Sequence, residues 1–275
     1  MRFTKYHALG NDYIVIDPKL VEKPLSEKAI KTLCARHYGV GSDGILYGPE
    51  RSDTCDFSLK IYNPDASEAE KSGNGLRIFS RYLWDRKLVS NQPFSIQTKG
   101  GIVYSHVASD GLSVSVSMGK VRFTHDATGE PPATANTLNI GDHEFIYYLA
   151  NVGNPHCVIF VADINQELAQ TFGPAIEQDA RFTNRTNVQF VKILDRSSIQ
   201  IEIWERGAGY TLASGSSSAA AASVSHVLGY CDAKINVLMP GGIINIELDQ
   251  QFYATMTGAV RKICDGVIDD EMLQG

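Results

Sequence analysis

Ser72 and Ser214 stand 142 residues apart, and each is followed by glycine at the start of a predicted helix. Around them the chain repeats itself. Residues 57–75 read FSLKIYNPDASEAEKSGNG and residues 199–217 read IQIEIWERGAGYTLASGSS, aligning without a gap at an offset of 142. LGNDYIVI at 9–16 matches VGNPHCVI at 152–159 at an offset of 143. A repeat of this length is a duplicated domain rather than a solenoid unit. A helix N-terminus presents unpartnered backbone N–H groups and the positive end of the dipole, which together bind anions. Gly73-Asn74-Gly75 lets the backbone approach a ligand closely, and Gly215-Ser216-Ser217-Ser218 adds hydroxyl donors. Two such termini would clamp one carboxylate and set a like group on each face of one carbon. The matching chemistry removes the weakly acidic α-proton of an amino acid from one face and returns a proton to the other. Converging N–H donors would steady the carbanion. A plain N-cap is the ordinary role of serine at such a position; the pairing of two matched turns favours the functional one.

The elements that must position these turns are mostly strands. Alternating or short apolar runs predict strands at 13–17, 57–62, 94–97, 102–107, 112–117, 188–194, 199–204, 235–238 and 243–248. Helices are predicted at 26–37 behind a Ser26 cap, at 76–86, from about 165 to 182, and at 216–228 before a Gly229 stop. The halves are expected as 1–119 with 259–275, and 120–258, with the active site in the cleft between them. The stretch after 258 reads as a closing strand returning to the first half. Residues 125–137, HDATGEPPATANT, read as an exposed loop.

At 275 residues the chain is long enough for two ordinary domains with cores of their own. A net charge of −6 argues against a nucleic-acid partner, which normally needs a basic face. No apolar run approaches the roughly 20 residues of a membrane helix, and the N-terminus reads as strand and turn rather than a secretory signal. The five cysteines, at 34, 55, 157, 231 and 264, are odd in number, scattered and without a CxxC. They suit reduced thiols in a cytoplasmic protein. No HxH or HExxH stands among the seven histidines, and no metal is expected.

With these residues in place the chain closely resembles the diaminopimelate epimerase family of cofactor-independent amino-acid racemases. The resemblance runs over essentially the whole length. It is carried by ALGNDYIVID at 8–17, RHYGVGSDG at 36–44, NPDASEAEKSGNGLR at 63–77, VGNPHC at 152–157, RTNVQF at 185–190, ERGAGYTLASG at 205–215 and MPGG at 239–242. It implies an α/β fold of two pseudo-symmetric halves, each a mostly antiparallel barrel-like sheet around a central helix. It also implies two-base epimerisation without pyridoxal phosphate or any other cofactor. Ser72 and Ser214 fall at the catalytic positions. Asn11, Asn63, Asn154, Asn187, Glu205 and Arg206 match the family's substrate contacts. Arg206 suits a carboxylate gripped bidentately, Glu205 an ammonium, and the asparagines either. Gly73, Asn74, Gly215 and Ser216 are expected at the α-carboxylate, and His156 at the substrate. The expected partner is a small amino acid, with no nucleic acid and no membrane; a homodimer is left open.

The family carries cysteine where this chain has Ser72 and Ser214. If a serine hydroxyl lies roughly five pKa units above a thiol, forming its alkoxide costs about 7 kcal/mol more. A serine base therefore needs a second base behind it, and His156 is the local candidate. Tyr210 stands where the family usually has glutamate, and Lys71 where many members have methionine. Three explanations are open. The serines are an engineered trap, or they mark a branch with a Cys/Ser or Ser/Ser pair acting on another polar amino acid such as histidine, or the chain only binds an amino acid.

Overall fold

The computed structural model describes residues 1–124 and 133–274. It divides into two compact units, Met1–Val116 with Gly258–Gly275, and Ser117–Thr257. The first opens with β1 (Arg2–Ala8), β2 (Asn11–Ile16), α1 (Glu27–Cys34), β3 (Ile45–Glu50) and β4 (Phe57–Tyr62). It continues through β5 (Glu68–Ala69), α2 (Gly73–Asp85), β6 (Phe94–Thr98), β7 (Gly101–Val107) and β8 (Ser113–Lys120). Then follow β9 (Ala135–Ile140), β10 (His143–Asn151), β11 (Pro155–Phe160), α3 (Gln166–Glu177), β12 (Asn187–Asp195) and β13 (Ser198–Glu205). The second run closes with β14 (Gly209–Thr211), α4 (Gly215–Val227), β15 (Lys234–Met239), β16 (Gly242–Leu248) and β17 (Tyr253–Ala259). Last come β18 (Arg261–Val267) and α5 (Glu271–Gln274).

Each unit builds the same sheet. In the first, β2 and β3 are parallel, β3 and β4 antiparallel, and β4 and β6 parallel. In the second, β11 with β12, β12 with β13, and β13 with β15 repeat that pattern. Parallel neighbours cannot be joined by a tight turn, so each parallel step takes a helix across the sheet. α1 and α3 serve the first step, α2 and α4 the second. The remaining pairs are antiparallel hairpins, β6 with β7 and β15 with β16. β18 returns to pair with β1, from Arg2↔Val267 to His7↔Arg261.

α2 and α4 are each 13 residues long, and both their ends keep the offset of 142. α2 is faced by β1, β2, β3 and β7; α4 is faced by β10, β11, β12, β13, β15 and β16. These are the central helices of the two barrel-like sheets. Ala219, Ala220, Ala221 and Ala222 expose no surface, and their short side chains let strands approach α4 from several sides. Ile14, Ile16, Ile45 and Leu33 form an apolar cluster in the first unit. Cys157, Ile159, Val188 and Phe190 do the same in the second.

α2 begins three residues before the expected 76. Gly-Asn-Gly has poor helix propensity, but the Ser72 cap and burial of Asn74 to Leu76 override it. The loop expected at 125–137 is corrected at its end: residues 135–137 belong to β9, held by β10 through Ile146↔Thr137. Residues 125–132 lie outside the described residues. Among the described residues, no helix is long and apolar enough to cross a membrane.

Candidate active site

The two serines have nearly the same backbone. Ser72 sits at φ −139°, ψ 115° and Ser214 at φ −142°, ψ 126°, and both cap a helix. Gly75 N donates to Ser72 Oγ at 3.0 Å, and Ser217 N donates to Ser214 Oγ at 3.4 Å. Their other neighbours differ. Tyr13 Oη lies 3.1 Å from Ser72 Oγ. Against Ser214 lies the Glu205 carboxyl, which burial pushes above the usual glutamate range while the Ser214 and Thr211 hydroxyls hold it down. Thr211 Oγ1 donates to Glu205 Oε2 at 3.2 Å. One cap thus faces a phenol and the other a carboxylate.

In the first unit the expected residues are tied in series. Asn74 Nδ2 donates to Asn11 Oδ1 at 3.1 Å, and Asn74 Oδ1 accepts from Arg77 Nη2 at 2.8 Å. Asn11 Nδ2 donates to Asp43 Oδ2 at 2.8 Å. Arg36 bonds both Asp43 and Asp12, and Lys5 lies 2.8 Å from Asp12. Arg77 is fully buried, and loss of water pulls its guanidinium down to about 10, so it remains a cation at neutral pH. The chain of bonds fixes the amides of Asn11 and Asn74 in one orientation, as buried polar networks do when their members are satisfied. Asn63 stands apart from this chain. Its Nδ2 donates to Ser67 Oγ at 2.9 Å, closing the turn that carries Asp65.

In the second unit, Asn187 joins two segments. Its Nδ2 donates to Pro155 O at 2.8 Å and its Oδ1 accepts from Arg206 N at 3.0 Å. Arg206 is exposed, with Nη1 donating to Asn184 O at 3.1 Å. The buried Glu177 pins the same turn. It accepts from Gly207 N at 3.0 Å, from Trp204 Nε1 at 2.8 Å and from Arg185 Nη1 at 3.1 Å. Gly215 and Ser216 open α4 beside Ser214. Tyr210 Oη donates to Glu202 Oε2 at 2.7 Å, and Lys71 is exposed.

His156 is fully buried, with Nε2 2.9 Å from Asn154 Oδ1. The group set against Ser214 is therefore Glu205, whereas His156 meets Asn154. Burial pulls the imidazole down from 6.5 to about 3, with the Arg206 cation adding to the fall and Gln189 opposing it. The unfolded chain takes up a proton near pH 6.5 while the folded chain does not. Stability is therefore expected to fall as pH drops from about 6.5 toward 3, by up to about 1.4 kcal/mol per unit. Urea unfolding from about pH 7 to 4.5 should show a shallower slope for His156→Gln; equal slopes would remove His156 as the cause.

Sequence reasoning does not single out Tyr13 or Glu177. Tyr13 carries a signal, because the offset of 143 makes it the counterpart of His156. Glu177 carries none, since the turn it holds is about 30 residues away along the chain.

Comparison with known proteins adds the following. The family model for diaminopimelate epimerase matches residues 3–124 and 148–263. A protein called diaminopimelate epimerase 2 from a Nostoc species is 55% identical over 276 residues, covering 99% of this chain and 97% of its own. The diaminopimelate epimerase of Heliobacterium modesticaldum is 36% identical, covering 97% and 99%. Among solved structures, a probable proline racemase from Agrobacterium radiobacter superposes with a TM-score of 0.72 at 14% identity, covering 98% of this chain and 92% of that one. At that identity the likeness shows the fold alone.

Proposed function

Because this chain belongs to the diaminopimelate epimerase family of isomerases, we propose that it inverts the α-carbon of diaminopimelate by two-base proton transfer without a cofactor. Ser72 and Ser214 each act on one face of that carbon. The observation that carries this reading is the pair of matched serine caps opening α2 and α4, with nearly the same backbone at Ser72 and Ser214; the Glu205 carboxyl, drawn down by the Ser214 hydroxyl, supports it. A serine hydroxyl is too weak an acid to ionise unaided, and a carboxylate behind it supplies the missing base. Glu205, whose carboxylate also suits an ammonium, is placed to accept the Ser214 proton as Ser214 takes the α-proton. In this reading the N–H groups opening each central helix serve the α-carboxylate and the developing negative charge. Asn11 and Asn74 hold fixed amides beside it. Arg206 takes the distal carboxylate, on a turn held by Glu177 and Asn187.

If binding buries the distal carboxylate against Arg206, which is exposed without substrate, Arg206→Ala is expected to weaken binding of LL-diaminopimelate by roughly 2–5 kcal/mol. Isothermal titration calorimetry would read this, and unchanged affinity would take Arg206 out of the site.

The deciding experiment is α-proton exchange in D₂O by NMR, over a panel including LL-diaminopimelate and L-histidine. Exchange of diaminopimelate by the chain itself supports the reading. Preference for histidine would move the substrate to another polar amino acid. Silence here with exchange regained in Ser72→Cys/Ser214→Cys would mark the serines as disabling. Silence in both, with binding retained, would leave an amino-acid-binding protein.

A further inference from the structure

We propose that Tyr13 is the proton donor behind Ser72, which makes Ser72 the resting acid of the pair and Ser214 the resting base. The inference rests on the epimerase reading above and adds a residue and a polarity to it.

The geometry at Ser72 carries the argument. Ser72 Oγ already accepts from Gly75 N at 3.0 Å. Tyr13 Oη stands 3.1 Å away, where either oxygen could donate. In the proposed arrangement Tyr13 donates, which engages both lone pairs of Ser72 Oγ and leaves its own proton to go toward a substrate. Two donors aimed at one oxygen also stabilise the negative charge that forms there as the proton departs. At Ser214 the situation is reversed. Ser214 Oγ also accepts from its cap donor, Ser217 N, at 3.4 Å, but its other neighbour is a carboxylate that only accepts, so the Ser214 proton points to Glu205 and one Oγ lone pair is left for the substrate.

Tyr13 is held for this role. Its side chain is nearly buried, and β2 is fixed on both sides, by β1 through Tyr6↔Tyr13 and by β3 through Ile14↔Ile45. Gly44 leaves room for its ring. A Cβ there would stand 2.7 Å from Tyr13 Cε1 and 2.6 Å from Tyr62 O, so any larger residue would displace the ring or the β4 backbone.

The proton balance is complete. The Cα–H bond breaks toward Ser214 Oγ while the Ser214 hydroxyl proton passes to Glu205, and the electron pair stays on carbon. On the other face the carbanion takes the proton of Ser72 Oγ, and Tyr13 Oη replaces it. Carbon is inverted, Glu205 is left protonated and Tyr13 is left as phenolate. Water then takes one proton and returns the other. A phenol is a far stronger acid than an aliphatic hydroxyl, so Tyr13 lowers the cost of the serine step.

The test compares Tyr13→Phe in the parent background and in Ser72→Cys, by α-proton exchange and epimerisation of LL-diaminopimelate. A thiol donates its proton without help, so Tyr13→Phe should cost roughly 10²-fold or more with serine at 72 and less than about threefold with cysteine. Equal losses in both backgrounds, or no loss with serine, would overturn the proposal. A second measurement is independent of activity. The Ser72→Cys thiol is titrated by its absorbance near 240 nm, as a difference against the parent. Removing the Tyr13 hydroxyl should raise that titration midpoint, and an unchanged midpoint would overturn the contact. If neither the parent nor the double cysteine variant exchanges any amino acid, the epimerase reading falls. The thiol titration still decides whether Tyr13 serves residue 72.

Discussion

Ser214→Ala is expected to slow epimerisation by roughly 10²–10⁴-fold, the usual worth of a positioned acid or base. The substitution deletes one hydroxyl that caps a helix as well as one that moves a proton. Losing the cap costs only about 1 kcal/mol of stability, so the folded protein should survive. The two effects separate in the measurement. Thermal unfolding should shift by a few degrees, and epimerisation in both directions should collapse. α-Proton exchange should collapse with it, because Ser72 rests as the acid of the pair and takes no proton from carbon. Epimerisation within a few-fold of the parent would take Ser214 out of the reaction.

Glu205→Gln is expected to fall in the same range and to be relieved by Ser214→Cys. The glutamine keeps the shape and the Thr211 contact but cannot take a proton. The pH profile gives a sharper check. Burial raises the Glu205 carboxyl above its ordinary 4.5. Glu205 must be ionised to accept a proton, so activity should rise with pH through that raised value and lose its ascending limb in Glu205→Gln. A limb that survives the substitution would assign it to another group. A Glu205→Gln variant that turns over normally but binds diaminopimelate weakly would return Glu205 to the ammonium of the substrate.

The central helices are legible in the amino-acid sequence itself, because a serine cap and a glycine occur twice at one offset, followed by apolar residues at helical spacing in α2 and by an alanine-rich run ending at Gly229 in α4. The strands that precede them, β4 and β13, are equally legible from alternation. β3 is not. It carries Gly48 and Pro49, which read as a turn, and the register shift between Tyr47 and Glu50 is what lets the ladder pass them. β18 is legible as a closing strand after residue 258, but its bounds are not: most of its residues are exposed, so it has no buried face to leave an alternating pattern. Within the candidate site, the residue types and the capping serines are visible in the sequence, but their partners are not. The Tyr13–Ser72 contact joins positions 59 apart and the Glu177 contact with Gly207 joins positions 30 apart. Periodicity reports which face of an element is buried, and says nothing about which hydroxyl meets which carboxylate across elements.

The placement of both copies in one polypeptide has a consequence of its own. In a symmetric dimer of a half-length ancestor, any change beside one serine would appear beside the other. Such an assembly must carry two phenols or two carboxylates. Fusion of the genes releases that constraint. The backbones at residues 72 and 214 have stayed within a few degrees in φ, while the side chains facing them have drifted to opposite proton affinities. Inheritance kept the frame, while one serine now faces a phenol and the other a carboxylate.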